Sequence, residues 1–368
     1  MDYAAADRER DYHEAIYGRA GRHVPHWEHW SCPDAETVLT GIDHYDRPRD
    51  CRLRWNELFP HVPLNVPATN APLSRPTLAG GADREDCVVR WGDAATASFR
   101  HGEAFFKTPE EVFAFSPLAK GDFTDWPHVV MNWDFRDEEA LYRRLRAGFP
   151  ADWGDRPPPE AGAVCTGFYN TMFMWPVLAF GWALFLECCL DDEFDRIMEE
   201  FAELNRRVFR VLARLPVVHA VCHDDIATTR GPVCSPAWMR KHIYPRYEEY
   251  FGMLRDAGRR VIFIADGCMD QLADEVFACG AQGLVGEPCT DYRAIAGRHR
   301  DVCLAGEGDN RVLSRNRPEE IDAMVRGMLA TARECPGYMM CVGNHIPWNL
   351  PPEAVGRYLG RCAEWGWR

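Results

Sequence analysis

VVHAVCHDD (217–225) and VIFIADGCMD (261–270) decide how this chain folds. Each is a short apolar run that stops at polar residues. Three more runs obey the same rule: GLVGE (283–287), VCLAGEGDNR (302–311) and YMMCVGNH (338–345), with helix-like sequence between each run and the next. A strand with one wet face alternates apolar and polar residues, whereas a parallel strand covered on both faces reads as a continuous Val/Ile/Leu run. Strand, polar end, helix, five times over, predicts an α/β fold of the (β/α)8 TIM-barrel class, with its functional face at the carboxyl ends of the strands. The side chains delivered there are His223, Asp224, Asp225, Asp266, Cys268, Glu287, Glu307, Asp309, Asn310, Arg311, Asn344 and His345.

Composition agrees with a large enzyme-sized core. The 368 residues are 46% hydrophobic, and one barrel with insertions accounts for them better than two independent domains, so residues 1–368 are expected to form a single domain. No run approaches the roughly 18 apolar residues of a membrane span. The charged, helix-like start MDYAAADRERDYHEAIYGR is unlike a signal peptide, which points to the cytoplasm. Fifteen cysteines without a CxxC pair read as reduced, mostly buried thiols. A formal net charge of −14 argues against nucleic acid or an anionic membrane as partner.

Outward from the core, HVPHWEHW (23–30) reads as the first barrel strand, carrying Glu28, His29 and Trp30 to its end. On a strand of period two, His23 and His29 share one face and His26 takes the other, so the HxxHxxH spacing reads as aromatic packing rather than a metal motif. Residues 31–160 form an irregular cap inserted in the barrel. Within them PRDCRLRWNELFP is helical, 61–67 is a weak second strand, and CVVRWGD with ATASFRHG makes a hairpin turned at Gly92-Asp93. AVCTGFYNTMF (163–173) is the next strand. An amphipathic helix pair follows, broken near Leu190-Asp191-Asp192, with Phe194, Ile197, Met198, Phe201, Leu204 and Val208 on one face.

HDDIATTRGPVCSPAWMRKHIYPRYEEYF (223–251), VIFIADGCMDQL (261–272), GDNRVLSRNRPEEIDAMV (308–325) and VGNHIPWNLPPEAVGRYL (342–359) together resemble the uroporphyrinogen decarboxylase superfamily. Its members show an acidic strand end, a G-P-x-x-S-P segment opening a helix, an S-D-G strand end, a G-N-x-D-like turn before a P-E-E helix, and a final G-H-x-I-P segment ahead of P-P-E. Before residue 160 the likeness is confined to VPHWE (24–28). The resemblance implies a TIM barrel and one of two chemistries: decarboxylation of a porphyrinogen, or methyl transfer to or from a corrinoid or thiol.

Two departures bear on that choice. The arginine-rich segment that the porphyrin enzymes carry after strand one stands here as Trp27-Glu28-His29-Trp30-Ser31-Cys32, with no arginine for an octa-carboxylate; Arg230, Arg240 and Arg311 are the available substitutes. The H-x-C zinc motif of the thiol methyltransferases falls on Ile264 and Asp266, and its distant cysteine on Asn344. Two site readings stay open. In one, His223, Asp266, Cys268, Glu287 and His345 supply ligands for a divalent metal such as zinc. In the other, Asp225 or Asp266 holds a raised pKa and acts as general acid, with His223 and His345 beside it. Glu28, Trp30, Arg230, Glu287, Asp309, Asn310 and Asn344 are the expected substrate contacts. The favoured function is corrinoid-dependent methyl transfer on a small molecule, with the corrinoid on a partner protein and a homo-oligomer as a possible assembly. Porphyrinogen decarboxylation and a non-catalytic binding subunit are the alternatives.

Overall fold

The computed structural model describes residues 5–73, 87–91, 97–101, 105–126, 132–158, 161, 163–343, 345–347 and 350–368. It divides into two compact units, one of Met1–Gly102 with Val285–Arg368 and one of Glu103–Leu284. The division falls inside the irregular 31–160 stretch and again at the strand Gly283–Val285.

In the Glu103–Leu284 unit, the strands Cys165–Phe168, His219–His223 and Arg260–Ile264 run parallel, with Cys165 opposite His219 and His219 opposite Arg260. The apolar runs become strands because both faces are covered: Ala220, Cys222, Val261, Ile262 and Phe263 are all inaccessible. Helices Met174–Cys188 and Asp192–Arg214 separate the first two strands. Asp191 breaks them apart, because its carboxylate accepts the Glu193 N–H (2.9 Å) and caps the second helix, with Asp192, Glu193 and Asp195 favouring the positive end of the dipole. Phe194, Ile197, Met198, Phe201, Leu204 and Val208 are buried along one stripe, as their spacing predicts. Ser235-Pro236 starts the helix Pro236–His242 in the same way. The serine hydroxyl accepts the Trp238 N–H (3.3 Å) and proline takes the first position, where no N–H is needed.

In the other unit, Cys303–Ala305 and Gly337–Tyr338 pair in parallel, and Trp30–Ser31 pairs in parallel with Ile346–Pro347. The 23–30 segment is less regular than its pattern suggests. Only single bridges join His23 to Trp367 and His26 to Met340 before the short strand at Trp30. The hairpin is present as Cys87–Trp91 antiparallel to Ala97–His101; its turn at Gly92-Asp93 lies outside the described residues. The expected strand at 61–67 is absent. Pro63 and Pro67 remove ladder donors, and Asn56 takes their place by bonding both the N–H (2.8 Å) and the carbonyl (2.9 Å) of Leu64. Fourteen of the cysteines are free thiols, and most of these are buried.

Glu28, His26 and His61 are enclosed together in this unit. The Glu28 carboxyl is 1% exposed, accepting from the Tyr358 O–H (2.6 Å) and the Val342 N–H (3.1 Å), with His26 Nδ1 at 3.4 Å. The rings of His26 and His61 stand 5.1 Å apart, and His61 Nε2–H donates to the Leu359 carbonyl (3.1 Å). Burial pushes Glu28 up to about 8 and both imidazoles down to about 3, so all three are neutral near pH 7. Because the imidazole pKa values are depressed below 6.5 on folding, the unfolded chain binds more protons below that pH. Their contribution is complete above pH 6.5 and is lost as pH falls toward 3. Glu28 works in the opposite sense, losing its contribution as pH rises through about 8. In urea titrations, His61→Gln, which keeps a donor for Leu359, should make the decline of stability with acid shallower by up to about 1.4 kcal/mol per pH unit. Equal slopes in the two proteins would contradict the buried neutral imidazole.

Candidate functional site

The strand His219–His223 ends in three consecutive polar residues, and the pleat sends neighbours in opposite directions. Asp224 turns inward and is wholly buried. Its Oδ2 accepts the N–H groups of Met172 (2.8 Å) and Phe173 (2.6 Å) and the O–H of Tyr247 (2.7 Å), and its Oδ1 accepts the Met174 N–H (2.7 Å). Those amides open the helix Met174–Cys188, whose own N-cap residue, Phe173, supplies no side-chain acceptor. Asp224 therefore caps a helix from a neighbouring strand. Burial pushes its carboxyl up to about 7, against four hydrogen bonds that favour the anion.

Asp225 has the opposite environment. Its Oδ1 accepts from His223 Nε2 (2.9 Å) and from the Asp266 N–H (2.8 Å). Burial raises this carboxyl, but the bond and charge of His223, with the Asp266 amide, bring it below the ordinary carboxylate value. Of the two acids expected, Asp225 or Asp266, Asp225 is held ionised, and the raised carboxyl at this strand end is its neighbour Asp224. One ligand atom each from His223, Asp225 and Asp266 lie within 4.8 Å of one another, all three residues being partly exposed.

Tyr169 completes the cluster and was missed by the sequence pattern. Its ring centroid is 4.1 Å from that of His223. Burial and the charges of Asp225, Asp266 and Asp224 push its phenol above the ordinary value, so it keeps its proton. The expected strand ran to 173, whereas the strand stops at Phe168 and leaves Tyr169 at its carboxyl end. That early stop is the signal the apolar pattern hid.

The turn after Asp266 is fixed by a close approach. Gly267 has φ +90°, and a Cβ there would lie 2.7 Å from the Ala227 carbonyl oxygen. The Cys268 N–H donates to the Thr228 carbonyl (2.8 Å), docking the small hairpin Ala227–Thr228 and Gly231–Pro232 on this turn. Cys268 is not one of the three grouped ligands, and burial pushes its thiol up. Arg230 sits exposed at the hairpin tip. Arg240 is ion-paired to Glu275 at 4.0 Å.

The remaining expected residues belong to the other unit. Asp309 caps the helix Asn310–Arg315 through the Arg311 N–H (2.8 Å) and pairs with the Arg311 guanidinium. Asn310 Nδ2–H donates to the His345 carbonyl (2.6 Å), and burial, with His29 nearby, lowers the His345 imidazole. Glu287 follows a tightly packed strand end, where a Cβ on Gly306 (φ +115°) would meet the Gly286 carbonyl oxygen at 1.9 Å. Glu307 points inward, accepting from the hydroxyls of Tyr338 (2.9 Å) and Thr331 (3.2 Å). Glu28 and Trp30 are engaged internally: Glu28 as above, and Trp30 by donating its indole N–H to Glu36 (2.8 Å). Asn344 lies outside the described residues.

Parallel strands bring a carboxylate–imidazole pair, a second carboxylate and a phenol to their carboxyl ends, the face at which α/β barrels carry their functional side chains. The family model for uroporphyrinogen decarboxylase (URO-D) matches residues 186–365, and across that span the chain belongs to the uroporphyrinogen decarboxylase superfamily, whose fold is the TIM barrel. His223, Asp225 and Asp266 lie inside the match and Tyr169 outside it. No curated protein matches the sequence. Among the described residues, no helix is long and apolar enough to cross a membrane.

Adjacent acids with different duties should separate cleanly on mutation. Asp224→Ala, which orphans four buried donors, should lose about 3–5 kcal/mol of unfolding free energy in urea. Asp225→Ala should stay within about 1 kcal/mol of the parent. Similar losses in the two variants would contradict the division.

Proposed function

We propose that this chain is a methyltransferase-type member of its superfamily, removing a methyl group from a small-molecule ether, with a corrinoid on a partner protein as the methyl carrier. The observation that carries the reading is the grouping of His223, Asp225 and Asp266 beneath the protonated phenol of Tyr169. Loss of a methyl group from an ether leaves an oxygen that must gain a proton, and a positioned acid is worth about 10²–10⁴-fold in such a step. Asp225 fixes the imidazole by accepting at Nε2, which leaves Nδ1 of His223 for the substrate. His223 is then the proton donor, Asp225 stabilises the imidazolium, and the Tyr169 phenol keeps its proton and offers it as a hydrogen bond to the departing oxygen.

The same three residues fit a divalent cation. They offer one nitrogen and two carboxylate oxygens, mutually close and partly open, a donor set suited to zinc, manganese or iron. A cation held there would supply Lewis acidity toward the departing oxygen. The corrinoid would supply the cobalt that takes up the methyl group.

The decarboxylase reading asks for cations that meet a substrate of eight carboxylates. Arg311 is already paired with Asp309, and Arg240 with Glu275. An anionic substrate would also meet the ionised Asp225.

Incubating the protein with cob(I)alamin and a panel of aryl and alkyl methyl ethers should yield the absorbance of methylcobalamin. His223→Ala and Asp225→Ala should slow its formation by about 10²–10⁴-fold. Carbon dioxide released from uroporphyrinogen, with no cobalamin methylation, would overturn the proposal in favour of decarboxylation. Cellular function that survives both substitutions would overturn it in favour of a binding subunit.

A further inference from the structure

We propose that Glu36, His44 and Cys51 form a second site, one that takes a zinc-type divalent ion and staples the N-terminal segment independently of the strand-end cluster. Glu36 lies in the helix Pro33–Thr40, Cys51 in the helix Pro48–Leu58, and His44 in the loop that joins them. One ligand atom from each lies within 4.8 Å of the other two. Glu36 and Cys51 are inaccessible and His44 is 5% exposed, so the three meet in the interior rather than on a solvated face.

The donor set is selective. A thiolate sulfur, an imidazole nitrogen and a carboxylate oxygen are the three ligand types that zinc takes, at about 2.0–2.3 Å. A soft sulfur ligand disfavours magnesium and calcium, which prefer all-oxygen shells. Glu36 Oε2 now stands 2.8 Å from His44 Nδ1 across one shared proton. An ion in that position needs its ligands roughly 3.4 Å apart, the tetrahedral edge for bonds of that length. Opening one contact by about half an ångström is a rotamer-scale adjustment.

The surroundings already orient the ligands, as partners behind a metal site do. The Trp30 indole N–H donates to Glu36 Oε1 (2.8 Å), while Arg52 Nε donates to Oε2 (3.1 Å) and Nη2 to Oε1 (3.3 Å). The Thr40 hydroxyl donates to the Glu36 carbonyl (2.7 Å) and lies 3.3 Å from Cys51 Sγ. The loop is tied at His44, whose N–H donates to Thr37 Oγ1 (3.0 Å). Binding releases two protons to solvent, the thiol proton of Cys51 and the Nδ1 proton that His44 donates to Glu36, and replaces them with a sulfur–metal and a nitrogen–metal bond. Two negative ligands then balance the charge of the ion, and Arg52 keeps its bonds to Glu36. An ion here ties two helices across their connecting loop through three protein ligands, and its fourth position is left to a water molecule.

Cobalt(II) reports this site selectively, because the strand-end cluster contains no sulfur. Full-length protein freed of metal by a chelator and titrated with cobalt(II) should develop a sulfur-to-cobalt charge-transfer band that saturates near one equivalent. The band should vanish in Cys51→Ser and His44→Gln and persist in His223→Ala, so that its loss and failure of the methyl-transfer reading remain separable. Circular dichroism verifies that each variant is folded. Should one not fold, zinc-edge X-ray absorption on the parent loaded with one equivalent of zinc decides. A shell with one sulfur supports the site, and a shell of nitrogen and oxygen alone overturns it. The absence of the cobalt band, or its persistence in Cys51→Ser, overturns it equally.

Discussion

One buried carboxylate holds the candidate site together. Asp224 leaves the end of a central strand, enters the interior and gathers the three amides that begin the helix Met174–Cys188, along with the hydroxyl of Tyr247. A helix start buried without acceptors would be costly, because each orphaned amide keeps the full penalty of leaving water. The cap from Asp224 removes that penalty and fixes the helix to the strand His219–His223. The turn it secures follows Tyr169 directly, so the same carboxylate that stabilises the helix also sets the phenol over His223.

Asp225 benefits from this arrangement. With its neighbour drawn inward, it faces the partly open strand end, where it accepts from His223 and from the Asp266 amide. Two carboxylates on consecutive residues thus separate: burial is the largest influence at both, and at Asp225 the His223 contact and the Asp266 amide together outweigh it. That separation lets a site dense in carboxylates hold an anion and a protonated phenol side by side.

Much of the fold was legible in the residues. Four of the five strands were visible because strands covered on both faces must be apolar throughout, whereas the run 338–342 is a strand only at Gly337–Tyr338 and continues as single bridges at Met340 and Val342. The capped helix after Asp191 announced itself by acids ahead of an amphipathic stripe. Local exceptions were not. The 61–67 segment has apolar residues, but its prolines and the Asn56 side chain satisfy the backbone without a partner strand. Period two predicts that Asp224 and Asp225 face apart, yet only the tertiary setting reveals which acid the interior holds. Tyr169 was concealed because apolar residues continue past the strand into the helix that Asp224 caps. Glu28 and Trp30 carried polar groups at an expected strand end, but Tyr358, Val342 and Glu36 engage them. No pattern in the 31–60 stretch announced the Glu36, His44 and Cys51 grouping, since a loop brings the three together.

The central claim is that His223, Asp225 and Asp266 act as one polar centre at the strand ends. Anomalous diffraction from crystals grown with manganese(II) tests it most directly. The account predicts a single strong peak within bonding distance of the imidazole and both carboxylates, with Asp224 turned away into the interior. A map in which the three side chains diverge, or in which the ion is bound by Asp224 instead, would contradict it.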